Sequence, residues 1–121
     1  MEHNLGFYLD VYKRQGKFPL WLAPVQAIIL PISDKFNDYA YEIKKAMVDK
    51  GIRVELDDRA EKIGYKIREA QLQQIPTMLI VGEKEVEEKL VSVRKRDEGD
   101  KGQIKIEDFI DQVIKEVEEK K

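Results

Sequence analysis

Two short apolar runs constrain the fold of this chain more than any other feature of its sequence. Val25 to Leu30 is largely apolar and partly β-branched and ends at Pro31, and Thr77 to Gly82 is apolar throughout its middle. Runs of this length and composition are typical of strands buried on both faces of a sheet. The longest uninterrupted apolar run, Ala27 to Ile32, is far too short to cross a bilayer, so we expect no membrane contact.

The residues that follow the first run predict a helix and then a second strand. Ser33 or Asp34 can cap a helix whose apolar residues recur at spacings of three and four, and Gly51 ends it. Ile52 to Leu56 then alternates between apolar and charged residues, which indicates a half-exposed strand.

A second helix is predicted from about Ala60 to Gln74, before Pro76 prevents its continuation. Asp57 and Asp58 are the residues expected to cap it. Gly64 lies inside this helix, where glycine costs about 1 kcal/mol relative to alanine, so we interpret it as a point of close packing between helix and sheet.

The last third of the chain predicts two more strands and a final helix. Leu90 to Arg96 alternates, a polar turn covers Asp97 to Gly102, and a short strand is expected at Gln103 to Ile106. Apolar residues then recur at helical spacing from Ile106 to Val117. This order of strands and helices, with right-handed crossovers between parallel strands, predicts an α/β fold with three layers, α/β/α. The predicted fold has a five-stranded mixed sheet and three main helices.

Composition excludes several functional classes. The 121 residues include 22 Lys+Arg and 24 Asp+Glu, for a net charge of −2, which excludes a uniformly basic nucleic-acid binder but not a local basic patch. The absence of Cys excludes disulfides, zinc ribbons and thiol chemistry, and fits a reducing cytosol. His3 is the only histidine, so a histidine triad or a histidine-rich metal site is not expected. With no signal peptide apparent at the N-terminus, we predict a cytoplasmic location.

Five motifs follow one another in a characteristic order. They are GKFPLWLAPVQ at Gly16–Gln26, DDRAEKIGYKIREA at Asp57–Ala70, IPTMLIVG at Ile75–Gly82, EKEVE at Glu83–Glu87 and VSVRKR at Val91–Arg96. This set resembles the C-terminal anticodon-binding domain of the threonyl-tRNA synthetase family. The related prolyl, glycyl and histidyl enzymes share the fold, and the first motif favours the threonyl branch.

The resemblance implies a domain at residues 16–121, preceded by residues 1–15 that do not match and are interpreted as a tail, a divergent linker or a gene-model remnant. It implies two partners, the anticodon loop of threonine tRNA and the catalytic domain of a parent synthetase, with no DNA, and it is compatible with a homodimer. The parent would be an ATP-dependent threonine–tRNA ligase using zinc and magnesium. The chain alone is expected to need no cofactor and to have no ligase activity.

Three consecutive cations, Arg94, Lys95 and Arg96, form the most informative candidate site. A guanidinium can donate two parallel hydrogen bonds to O6 and N7 of guanine, which lysine cannot reproduce. The resemblance implies that Arg94 reads an anticodon base. From the residues alone, a solvated strand end paired with Asp97 and Glu98 is the favoured interpretation, and the resemblance reverses that preference.

Glu85 is the second candidate, with Lys84 beside it. A carboxylate can accept hydrogen bonds from N1–H and N2–H of an unstacked guanine, or from N3–H of uracil, and loop bases expose these edges. The resemblance implies a base-reading role for Glu85. Without it, the segment that contains Glu83, Glu87 and Glu88 predicts an acidic turn.

The third candidate is the segment Arg59, Ala60, Glu61 and Lys62, predicted at the start of the second helix. Crevices at the carboxyl ends of parallel strands commonly bind ligands, and free backbone N–H groups of a helix start can hold a phosphate. Ala60 stands where the resembling family often has Asn, so a contact by that side chain would be absent.

Two other functional classes remain open at the level of the residues. A flavodoxin-like or receiver-like domain would bind flavin or phosphate, but Pro31 to Asp34 replaces the phosphate loop and Gly82 replaces the aspartate expected after the third strand. An accessory protein-interaction domain of the same fold would form dimers without binding tRNA.

Overall fold

The computed structural model describes residues 17–120, so the expectation for residues 1–15 lies outside the described part of the chain. The strands and helices fall in the predicted order, with a 3-10 turn at Asp34–Phe36 before the first helix. The strands are β1 (Ala27–Pro31), β2 (Val54–Leu56), β3 (Thr77–Val81), β4 (Leu90–Lys95) and β5 (Gly99–Lys105). The helices are α1 (Asn37–Asp49), α2 (Ile63–Leu72), α3 (Glu83–Glu88) and α4 (Ile106–Glu118).

The strands form one mixed sheet in the order β2-β1-β3-β4-β5. β1 pairs in parallel with β2 and β3, whereas β4 pairs antiparallel with both β3 and β5. The predicted five-stranded mixed sheet with three main helices is therefore confirmed, and α3 is a short fourth helix. Among residues 17–120, no helix is long and apolar enough to span a membrane.

Alternation along the central strands divides the core between the two faces of the sheet. Ala27 and Ile29 of β1 point into a large cluster with α1 and α4. Ile28 and Leu30 point into a smaller cluster beneath α2, which also contains Met78 of β3 but no residue of β4 or β5. Because α2 covers only the parallel part of the sheet, the same face of β4 and β5 is left without a helix.

The start of α2 differs from the prediction. The helix begins at Ile63 rather than near Ala60, and Lys62 at its N-cap makes no side-chain capping bond. Asp57 and Asp58 do not cap it. The carboxylate of Asp57 accepts two hydrogen bonds from the Arg59 guanidinium and one from the Arg59 backbone N–H, and that of Asp58 accepts from the Tyr41 hydroxyl. Segment 59–62 is therefore a loop that precedes the helix.

Three further details depart from the sequence-based expectations. The acidic turn expected at Glu83–Glu88 is helix α3. β5 begins at Gly99, within the segment expected to be a turn, because a bulge lets that segment continue the ladder. Gly64 is exposed and has open space where a side chain would begin, so the expected close packing at this residue is wrong.

Candidate nucleic-acid interface

The uncovered side of β4 and β5 presents a row of polar side chains that we call the open face: Ser92 and Arg94 on β4 and Gln103 on β5. Ser92 lies opposite Gln103 on one side and Ile80 on the other, and Arg94 lies opposite Met78. Met78 and Ile80 belong to the face covered by α2, which assigns Ser92 and Arg94 to that same side of the sheet. The open face thus lies beside α2.

Arg94 is half-buried in a groove of about 260 Å³ between β4 and the carboxyl end of α2, with Gln71, Gln74 and Asp97 among its lining. Its Nε is buried, and no other described residue hydrogen-bonds to it. An unsatisfied buried donor costs about 1–3 kcal/mol, so an exception of this kind calls for a specific reason. Because Arg94 also lines the groove, a ligand bound there could accept hydrogen bonds from its guanidinium.

A bulge in β5 lies directly opposite Arg94. Val93 pairs with Gly102 and Arg94 with Asp100, which leaves Lys101 as an extra residue between them. Gly102 has φ +86°, and its N–H donates to Oδ1 of Asp100 at 2.8 Å. Bulges bend the strand and re-aim side chains, and here the bend falls where Arg94 meets β5.

The other two cations of the predicted cluster are held in different places. Lys95 Nζ lies 3.2 Å from Glu116 Oε1 of α4, on the opposite face of the sheet. Arg96 donates from Nη1 to the Gln74 carbonyl and from Nη2 to the Phe18 carbonyl, both at 2.7 Å. The sequence cluster is therefore not one patch in space: of the three side chains, that of Arg94 alone has no hydrogen bond or ion pair with the described residues.

Glu85 is 8% exposed and its carboxylate is held by two donors. Oε1 accepts from the Gly82 N–H at 2.7 Å and thereby caps α3, and Oε2 accepts from the side-chain amide of Gln103. The hydrogen bond from Gln103 places Glu85 beside that residue, at one end of the open face. Lys84 is exposed in the first turn of α3.

Arg59 belongs to an ion network at the far edge of the sheet. Its Nε and Nη2 bond the two oxygens of Asp57 at 2.9 and 2.8 Å, Nη2 also bonds Glu69, and its guanidinium lies over the Tyr65 ring. The hydrogen bonds from Arg59 lower the pKa of Asp57 and the pKa of Glu69 below their ordinary values. Arg59 therefore already has carboxylate partners.

The remaining residues of the 59–62 loop, Ala60, Glu61 and Lys62, are exposed. The structure separates this loop from Arg94, because the loop precedes α2 whereas Arg94 lies near the end of that helix. The predicted site residues therefore fall in three places. Arg94 lies on the open face, with Glu85 and Lys84 on α3 at one end of it; Lys95 and Arg96 are bonded within the domain; and residues 59–62 form the loop before α2.

Lys66 and Gln103 are two residues that the sequence reasoning missed. Lys66 is 1% exposed, and its Nζ donates to the carbonyls of Pro31 and Asp57, both at 3.0 Å. It thereby ties α2 to the ends of β1 and β2. A lysine three residues after Ile63, on the apolar stripe of the helix, was the available signal. Gln103 offered no signal, since its role depends on the bulge in β5.

Comparisons with known proteins agree with this architecture. Residues 26–116 match the family model described as the anticodon binding domain. A threonine–tRNA ligase of Clostridioides difficile is 62% identical over 118 residues, which are 98% of this chain and 18% of that protein. The corresponding ligase of Finegoldia magna is 52% identical over 120 residues, 99% of this chain and 19% of that protein.

A solved structure extends the agreement to the fold. The RNA binding domain of threonyl-tRNA synthetase from Cryptosporidium parvum Iowa II superposes with a TM-score of 0.82 at 35% identity, covering 87% of this chain and 27% of that one. The chain spans about a fifth of the length of its curated relatives. The predicted resemblance is confirmed, and the chain belongs to the anticodon binding domain family, in the form found in threonine–tRNA ligases.

Proposed function

We propose that this chain binds threonine tRNA through the open face and reads bases of the anticodon loop for a threonine–tRNA ligase. The observation that carries the proposal is Arg94: its half-buried side chain lines a groove and makes no hydrogen bond or ion pair with the described residues. The neighbouring cations Lys95 and Arg96 are already bonded within the domain. Arg94 is therefore the cation of this cluster that is available to a ligand.

The chemistry of the open face suits a base better than a phosphate alone. Arg94 can donate two parallel hydrogen bonds to O6 and N7 of guanine, the middle base of the threonine anticodon. Glu85 offers carboxylate lone pairs to the N–H groups of guanine or of the uracil at the third position. Base pairing in a duplex occupies the N1–H of guanine and the N3–H of uracil, whereas a single-stranded loop exposes them, so the contact proposed for Glu85 favours a tRNA loop over duplex DNA.

We assign catalysis to the part of the related ligases that lies outside the segment matched by this chain. ATP, zinc and magnesium would be bound there, and we propose that the present residues alone bind tRNA without aminoacylating it. Among residues 17–120, no group of three or more His, Cys, Asp or Glu side chains is arranged to hold a metal. A cytoplasmic location and docking against the catalytic domain complete the proposal.

The test is the fluorescence anisotropy of a labelled threonine-tRNA anticodon stem-loop titrated with the chain at low and moderate salt. A second stem-loop carries adenine in place of the middle guanine. Phosphate contacts weaken steeply as salt rises, whereas a base contact sets the ratio of the two affinities. We expect a preference for the guanine loop that persists as salt is raised.

Two other results would contradict the proposal in different ways. Equal affinity for both loops with a steep salt dependence would reduce the function to a basic patch without base reading. No binding to either loop, together with self-association of the chain, would favour a protein-interaction domain of the same fold.

A further inference from the structure

We propose that Gln103 is a positioning residue that fixes Glu85 for base recognition and thereby contributes to discrimination between anticodons. The inference rests on the proposed function, because it concerns how the same site reaches its specificity. It stands on the hydrogen bond from the Gln103 side-chain amide to Oε2 of Glu85, which joins β5 to α3 across the end of the open face.

The carboxylate of Glu85 is held at both ends by donors from different elements. The Gly82 N–H fixes Oε1 from the backbone, and Gln103 fixes Oε2 from a side chain. Each carboxylate oxygen has two lone-pair sites, so a second acceptor position remains on each after these bonds form. A carboxylate held in this way presents its free lone pairs in one direction, and a fixed orientation is what a base-specific contact requires.

The bulge in β5 is what brings Gln103 to the open face. Asp100 lies opposite Arg94, and with Lys101 as the extra residue Gln103 lies opposite Ser92. In an unbroken ladder, the same count from Asp100 would place Gln103 opposite Val91, whose side chain is in the core on the other face. The extra residue in β5, Lys101, therefore places Gln103 on the face where it can donate to Glu85.

Gln103 is suited to positioning Glu85. Its side chain is exposed on the open face, whereas Glu85 is buried. Loss of the amide would remove a donor from the buried Glu85 carboxylate and so lower stability. The ratio of affinities between loops isolates positioning, because a loss of stability alone would weaken binding to all loops alike. The Gly82 N–H would still hold Oε1, leaving Glu85 tethered at one end only.

The experiment measures the anisotropy of labelled stem-loops with wild-type chain and with Gln103→Ala, Gln103→Glu, Glu85→Gln and the double variant Glu85→Gln with Gln103→Ala. Three loops are compared: the threonine anticodon, one with the middle guanine replaced by adenine and one with the third uracil replaced by cytosine. Gln103→Glu keeps the shape of the side chain but replaces the donating amide by an acceptor. Gln73→Glu, at an exposed glutamine that caps α2, adds the same charge elsewhere and is its matched control.

We expect both Gln103 variants to lose about tenfold in discrimination, the equivalent of one hydrogen bond to a charged group, at the same base at which Glu85→Gln loses it. The double variant should lose little more than Glu85→Gln alone, because Gln103 acts through Glu85. Gln73→Glu should weaken all loops alike and keep their ratio, and thermal melting should show all the variants folded.

Unchanged discrimination in Gln103→Ala, with a wild-type chain that does discriminate, would overturn the role of Gln103 and leave the proposed function standing. Losses that add fully in the double variant would also overturn it, since Gln103 would then act independently of Glu85. A wild-type chain without any base preference would overturn the proposed function and this inference with it.

Discussion

Lys95 Nζ lies 3.2 Å from Glu116 Oε1, on the face of the sheet opposite to Arg94. Adjacent residues of a strand point to opposite faces, so two neighbouring cations of one sequence motif serve different purposes. Lys95 attaches α4 to the sheet, whereas Arg94 extends into the groove beside α2. Consecutive cations in a strand therefore do not form one charged patch, because they are divided between the two faces of the sheet.

Replacement of Lys95 by alanine should have a small effect. Both partners of its ion pair are about a quarter to a third exposed, and pairs of this kind contribute less than about 1 kcal/mol. We expect a decrease of that size in the free energy of unfolding in urea and an unchanged preference between stem-loops. A marked loss of base discrimination would contradict the separation of Lys95 from the open face.

Arg96→Ala should instead reduce stability. Its guanidinium joins the Phe18 carbonyl to the Gln74 carbonyl, and loss of these charge-assisted bonds should lower the free energy of unfolding by about 1–3 kcal/mol. Urea denaturation measures the change. We expect binding to weaken to the same degree for all loops. An unchanged free energy of unfolding would contradict a stabilising role for these two hydrogen bonds.

Lys66→Met tests the buried lysine beneath the loop at residues 57–62. The substitution keeps an apolar stem but leaves the carbonyls of Pro31 and Asp57 without their donor, so we expect a loss of about 2–4 kcal/mol in the free energy of unfolding. Lys45→Met, at an exposed position of α1, is the matched control and should stay within about 0.5 kcal/mol. Similar effects of the two substitutions would contradict the role of Lys66.

Gly64→Ala should raise stability. A Cβ at Gly64 meets no atom within 4 Å, so alanine should gain about 0.5–1 kcal/mol from its better helix propensity. Gly82→Ala is the contrasting variant, because its Cβ would lie 2.7 Å from Ile32 Cδ1 and 3.2 Å from Glu85 Oε1. Thermal melting should show a higher midpoint for Gly64→Ala than for Gly82→Ala, whose new side chain has to displace Ile32 Cδ1. Destabilisation by Gly64→Ala would contradict the open space found at this residue and support the close packing predicted from the sequence.

The network of Asp57, Arg59 and Glu69 should make stability depend on acid pH. Hydrogen bonds from Arg59 lower the pKa of both carboxyl groups in the folded state, so their contribution is fully present above the ordinary values of about 4. It is lost as pH falls through the lower folded values. The difference in stability between wild type and Arg59→Gln should therefore shrink between about pH 5 and pH 2. A constant difference in urea denaturation over that range would contradict the ion network.

The sequence predicted most of the fold because its strands and long helices have clear periods. The α1 and α4 stripes and the apolar runs of β1 and β3 each indicate a single structure. The exact start of α2 was not predictable, because Asp57 and Asp58 have partners, Arg59 and Tyr41, that compete with capping. Helix α3 was hidden because six residues carry too short a pattern to show a period.

The candidate site was predictable in identity but not in arrangement. Arg94 and Glu85 were found through the resemblance, and the structure adds their surroundings: an unsatisfied Nε for one and two donors for the other. Gln103 could not be found, since the bulge at Lys101 decides which face it occupies. A one-residue shift in register reverses the faces of a strand, and single-sequence patterns do not reveal such shifts in polar segments.

The most direct test of the account compares Arg94→Ala and Arg94→Lys with wild type in the anisotropy titration of the guanine and adenine stem-loops. If Arg94 makes two parallel hydrogen bonds to the middle guanine, alanine should cost about 1–3 kcal/mol in binding that loop and remove the preference, and lysine should not restore it. Recovery of full affinity and preference by lysine would reduce Arg94 to a phosphate contact. An undiminished preference in Arg94→Ala would contradict the central claim that this residue reads the anticodon.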